Sequence, residues 1–122
     1  MKETVLQQEL SALVALNGVS ACALVDSNSG LVWHAVGSQP EGEPLWEAAI
    51  DYWRLHSRSN AHFAVLGELG AVLLYHRKGV LAIIPCTAKV ELLVVCIASH
   101  KGVDWVAWQR NIRAMAERLK DF

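Results

Sequence analysis

The sequence predicts an α+β fold in which helices cover an antiparallel sheet, in the order α-β-β-α-β-β-β-α. Three observations predict it. Five short apolar segments alternate or run continuously as strands do, and most are joined by hairpin-sized turns. Three longer segments carry apolar residues at helical spacing, with breakers or caps at their ends. The bulk numbers then allow one domain: 122 residues, 53% hydrophobic and 19% charged, too apolar for disorder and sufficient for a packed core.

Residues 3–17 read as the first helix, because Leu6, Leu10 and Leu13 recur at i, i+4 and i+7 and Gly18 stands at the C-terminal end. Residues 19–26 read as a strand whose two alternating faces are both largely apolar, as in a central strand covered on both sides. Ser27, Asn28, Ser29 and Gly30 follow. A phosphate cradle would need several glycines and a helix starting at once, so that backbone N–H groups converge on the anion. Here Leu31, Val32 and Trp33 continue in an extended pattern, so the loop is the bend of a hairpin and residues 31–37 form its second strand.

Residues 38–43 contain Pro40 and Gly42 and read as a loop, and Pro44 suits the first turn of a helix over 44–58. A polar connection punctuated by Gly67 and Gly70 leads to a third strand over 71–77, a turn at Lys78 and Gly79, and a fourth strand over 80–84. Pro85 lacks a ladder donor, so the fourth strand ends or bulges there. Residues 91–98 form the fifth strand. Asp104 caps a last helix over 105–120, whose seam is Trp105, Trp108, Ile112, Met115 and Leu119.

The longest apolar runs are about seven residues, far short of the roughly 20 that span a bilayer, so no membrane helix is expected. Lys2, Glu3 and Glu9 interrupt the first ten residues, so no signal peptide is expected. A net charge of -1 gives no reason to expect nucleic acid as a partner. Cys22, Cys86 and Cys96 are odd in number, widely spaced and set in apolar runs, so they read as reduced, buried small hydrophobes of a cytoplasmic protein. His34, His56, His62, His76 and His100 contain no i, i+4 pair, and no metal site is expected. Ser20, Ser38 and Cys86 are nucleophiles by type only, without a nucleophile elbow, so no catalytic residue and no cofactor is assigned.

The second helix carries too much apolar surface for one sheet contact. On a helical wheel, Glu47, Asp51, Arg54 and Arg58 gather within about 60°, and the uncharged arc covers about 220°. A helix lying on a sheet needs little more than about 100°. Leu45, Ala48, Tyr52 and Leu55 form one flank; Trp46, Ala49, Ile50 and Trp53 form the other. An outward patch of Trp and Ile marks an interface, so the second flank is assigned to a partner, with Glu47, Asp51, Arg54 and Arg58 as its rim; the alternative is that the loop of residues 60–69 folds over this flank. Val72, Leu73, Leu74 and Tyr75 of the third strand join it: if this strand is an edge, its free ladder groups invite an identical strand from a second copy. Periodicity leaves open whether it is an edge.

The chain resembles the roadblock/LC7 family. The carrying residues are Leu13, Gly18 and Val19, the run Ala23, Leu24, Val25 and Asp26, then Gly30 and Leu31, and Gly37, followed by the paired strands "RKGVLAIIP" and "ELLVVCIAS" before an amphipathic helix. The resemblance covers residues 3–120. It implies a five-stranded antiparallel sheet in the order 2-1-5-4-3, with one helix on one face and two on the other. It also implies a homodimer or heterodimer that joins third strands and packs second helices, and a non-catalytic adaptor or scaffold that binds or regulates a small Ras-like GTPase. The alternative is a small-molecule sensor, because related folds hold ligands between sheet and helix; the discriminator is whether Trp33, Trp46 and Trp53 fill that space or line a pocket.

Overall fold

The computed structural model describes residues 2–37, 42–67, 69–87, 92–99 and 101–119. Ser38, Pro40 and His100, named above, lie outside the described residues, as do the expected first residue of the fifth strand, Glu91, and the last of the final helix, Lys120. The elements are α1 (Lys2–Val14), β1 (Val19–Asp26), β2 (Val32–Gly37), α2 (Gly42–Arg58), a 3₁₀ helix (Asn60–Leu66), β3 (Val72–Tyr75), β4 (Val80–Thr87), β5 (Leu92–Ala98) and α3 (Trp105–Leu119). All strand pairs are antiparallel, in the order β2-β1-β5-β4-β3. The expected element order and sheet order are both present.

The sheet is buried on both faces by helices of opposite sides. Leu6, Leu10 and Leu13 of α1 and Trp108, Ile112 and Met115 of α3 pack on Cys22, Leu24, Ala82, Ile84, Val94 and Cys96. Trp46, Ala49 and Ile50 of α2 pack on the alternate residues Ala21, Ala23, Val25, Leu81, Ile83, Leu93 and Val95. This is the period-two division of strands covered on both sides.

Local chemistry sets the connections. Asp26 Oδ1 accepts the N–H groups of Asn28 (2.9 Å) and Ser29 (3.3 Å), Gly30 N–H donates to Asp26 O (2.9 Å), and Gly30 takes a φ of 79°. The loop of residues 27–30 is therefore a hairpin bend. Asp104 caps α3 as expected, its Oδ1 accepting Ala107 N–H at 3.0 Å. Pro85 stays within β4, opposite Leu93, and the ladder shifts register between Pro85 and Thr87. The bulge absorbs the missing donor and lets the strand continue.

Several segments differ from the sequence expectation, β4 among them, which runs to Thr87 instead of stopping at residue 84. α1 ends at Val14, and residues 15–17 turn through Leu16 N–H to Leu13 O and Val19 N–H to Leu16 O. β3 is only four residues long, because the turn comes one residue early, at Arg77 and Lys78, closed by His76 N–H to Gly79 O at 2.8 Å. α2 begins two residues before Pro44. The connection after α2 is a 3₁₀ helix with apolar Ala61, Phe63, Val65 and Leu66 rather than a polar loop.

Candidate functional site

The rotation of α2 decides which flank is outward, and it is the reverse of the assignment from sequence. Trp46, Ala49 and Ile50, assigned to a partner, are buried against the chain's own sheet, and Trp53 is half-buried against the same cluster. The physical reason is the shape of the sheet face. Small Ala21 and Ala23 on β1 leave room for the indole of Trp46, and Ala49 lets the helix approach closely. Leu45 and Ala48 are half-buried, while Tyr52 and Leu55 are exposed. The excess apolar arc is real, and Tyr52 and Leu55 carry its exposed part.

Arg54, assigned to the partner-binding rim, is exposed and also ties two elements of its own chain together. Its Nε donates to Ser27 O at 2.9 Å and its Nη2 to Asn28 O at 3.0 Å. The guanidinium therefore pins α2 to the β1–β2 bend and helps to fix the helix rotation. Glu47, Asp51 and Arg58 remain exposed on the same side of α2.

The adjoining flank of α2, with Tyr52 and Leu55, lies toward the β3 edge of the sheet. Among the described residues, β3 is a terminal strand of the sheet, paired with β4 alone. Val72 and Leu74 lie on the α2 side and pack against that core, and Leu73 packs on the other. Tyr75 alternates with Leu74 and is 62% exposed. Because His76 N–H points to β4, alternation directs the ladder groups of Leu74 and Val72 to β4 and those of Leu73 and Tyr75 to the open edge.

The 3₁₀ helix widens this edge. His56 of α2 stacks on Phe63, with ring centroids 4.9 Å apart and planes 18° from parallel. Val65 and Leu66 stand 92% and 79% exposed, and Leu55 is 52% exposed. Between α2, the 3₁₀ helix and β3 runs an open groove of about 500 Å³, lined by Tyr52, Leu55, His56, His62, Phe63 and Val72. Among the described residues, this side thus carries exposed apolar side chains beside the outward-facing groups of an edge strand. The sequence reading missed Phe63, Val65 and Leu66, although the run from Ala61 to Leu66, with only His62 polar, was the available signal.

Among the described residues, no three His, Cys, Asp or Glu side chains converge as metal ligands. Cys86 is buried, and burial, aided by the Glu9 charge, pushes its thiol up to about 11, so little thiolate exists at neutral pH. Trp46 fills the space between α2 and the sheet, Trp53 packs beside it, and Trp33 is exposed on β2. No helix among the described residues is long and apolar enough to cross a membrane.

No protein-family model matches the chain, and no curated protein matches it. Solved structures do. The Roadblock/LC7 domain from Streptomyces avermitilis superposes with a TM-score of 0.77 at 15% identity, covering 92% of each chain. MglB with tetrameric arrangement gives 0.72 at 15% identity, over 94% of this chain and 87% of that one. The gliding protein MglB from Thermus thermophilus gives 0.69 at 13% identity, over 94% and 90%. With its strand order, its two helices on one face and one on the other, and these likenesses, the chain has the roadblock/LC7 fold.

Proposed function

We propose that the chain is a non-catalytic, homodimeric adaptor of the cytoplasm that binds or regulates a small Ras-like GTPase. The observation that carries the dimer is the apolar side of α2 running into the open β3 edge, with Tyr52, Leu55, Phe63 and Tyr75 exposed along it. In the dimer, β3 pairs with its two-fold mate through the outward N–H and C=O groups of Leu73 and Tyr75. The flank of Tyr52 and Leu55 meets its copy, and each groove is filled by the other chain. This interface keeps Val72, Leu73, Leu74 and Tyr75 from the sequence assignment and replaces Trp46, Ala49 and Ile50 with Tyr52, Leu55 and Phe63.

The GTPase reading draws support from the roadblock/LC7 resemblance, whose bacterial members include GTPase regulators, and from the likeness to a gliding protein of that fold. Glu47, Asp51 and Arg58, exposed beside the interface, are the contact residues in this reading. Arg54 is not among them, because its guanidinium is committed to Ser27 and Asn28.

The test has two parts. Light scattering should give twice the 13.4 kDa chain mass at micromolar concentration. Affinity capture from the source cell, with a GTP analogue or with GDP, should retain a Ras-like GTPase in one nucleotide state. The double change Asp51→Arg and Arg58→Glu should abolish capture and leave the dimer intact. A monomer removes the dimer, and capture indifferent to the double change removes the contact surface.

A second reading, a small-molecule sensor, is favoured by one observation: the groove of about 500 Å³ is ligand-sized and carries His56 and His62 in an apolar lining. A ligand there would compete with the second copy, so its addition would lower the dimer mass.

A further inference from the structure

Cys22 on β1 and Cys96 on β5 are direct partners across the central strand pair of the sheet. Both side chains lie on the α1/α3 face and neither has any solvent exposure. Their Sγ atoms are 2.7 Å apart, and the indole Nε1 of Trp108 donates to Cys96 Sγ at 3.0 Å. Directly opposed residues of antiparallel strands have Cα atoms about 4.5–5.5 Å apart, inside the span of about 4.4–6.8 Å that a disulfide bridges. The third cysteine has no such partner. Cys96 faces Ala82 on β4, and Cys86 lies four residues further along that strand, beyond Pro85.

We propose that Cys22 and Cys96 are a redox pair that closes into a cross-strand disulfide within the native sheet, leaving Cys86 as the free thiol. The oxidant is a small-molecule disulfide of the glutathione class. The thiolate of one cysteine attacks it, forming a mixed disulfide and releasing one glutathione thiolate. The thiolate of the second cysteine then attacks the protein sulfur of that mixed disulfide and releases the second. Two protein thiols lose two protons and two electrons, and one glutathione disulfide becomes two glutathione thiols.

Burial decides when this happens. Each thiol is hydrogen-bonded to the other and removed from water, which disfavours the Cys22 thiolate strongly in the closed sheet. Glutathione also has no path to fully buried sulfur atoms. Exchange therefore occurs while β1 and β5 are apart, during folding or transient opening, and the finished bond is shielded from reductant by the same burial. Trp108 reports the state, because its indole contacts the sulfur that changes.

The Cys86→Ser chain, unfolded and refolded in buffers of increasing oxidised-to-reduced glutathione ratio, tests the pair. Intact mass should fall by two hydrogen atoms, no free thiol should remain, peptide mapping should join Cys22 to Cys96, and Trp108 emission should be quenched. The wild-type chain treated alike should retain one thiol, on Cys86. Without denaturant, oxidation should be slower in proportion to the rarity of opening. Two surviving thiols at every ratio, stable glutathione adducts, or wild-type bonds that include Cys86 would each overturn the proposal.

Discussion

Single residues fix the geometry of this fold where the backbone comes closest. Gly37, at the end of β2, has a φ of 123°, and a Cβ there would lie 2.5 Å from both Ala21 Cα and Ser20 O. Both neighbours are backbone of the adjacent strand and cannot rotate away. Gly37→Ala is therefore expected to cost about 2–4 kcal/mol through strain and displacement of β2, read as a lower urea midpoint. Arg54 acts differently, as a tie between elements. Its two bonds, to Ser27 O and Asn28 O, hold the hairpin bend against α2 at a partly solvated site. Arg54→Ala should cost about 1 kcal/mol and should raise hydrogen-exchange rates at Gly30 N–H and Asp26 N–H, which close the bend. A variant with unchanged exchange there would show that Asp26 and Gly30 hold the bend unaided.

At the scale of elements, β3 matters by its position and its direction. Four residues long, terminal and apolar, it lacks the charges within its length that guard edge strands, and Arg77 and Lys78 lie past its end. Tyr75→Pro tests its proposed pairing selectively. The Tyr75 N–H points away from β4, so proline removes a donor that only a second copy would use, and the side chain lost is mostly exposed. The expected result is a dimer weakened at least about tenfold with a melting temperature of the monomer little changed, measured by sedimentation. The same scale shows what the sequence could reveal. The Asn28 to Gly30 bend, the Asp104 cap and the bulge at Pro85 were legible because each depends on residues within a few positions. The rotation of α2 was not, because both flanks are apolar at the same spacing and are distinguished by distant residues, the alanines of β1 and the Ser27 and Asn28 carbonyls that hold Arg54. Nor was the Cys22 and Cys96 pair, whose members are 74 residues apart and meet through the strand order alone.

For the molecule as a whole, the question is how one apolar helix serves two masters. Ile50 and Leu55 both belong to α2, five residues apart, and a wheel separates them by about 140°. Ile50 is 2% exposed and lies within the core shared with Ile83 and Val95; Leu55 is 52% exposed and lines the groove beside β3. A glutamate at each position should therefore fail in a different way. Ile50→Glu places a carboxylate among the apolar side chains of Ile83, Val95 and the rest of that core, and is expected to cost about 3 kcal/mol or more, giving an unfolded or aggregated chain at any concentration. Leu55→Glu leaves the carboxylate hydrated in the monomer and desolvates it only when a second copy covers the flank. It should yield a folded monomer, with native circular dichroism and half the wild-type mass by light scattering, and a dissociation constant raised by about two orders of magnitude. If Leu55→Glu remained dimeric, the apolar flank of α2 would lie outside the interface, and the assembly would rest on the β3 edge alone.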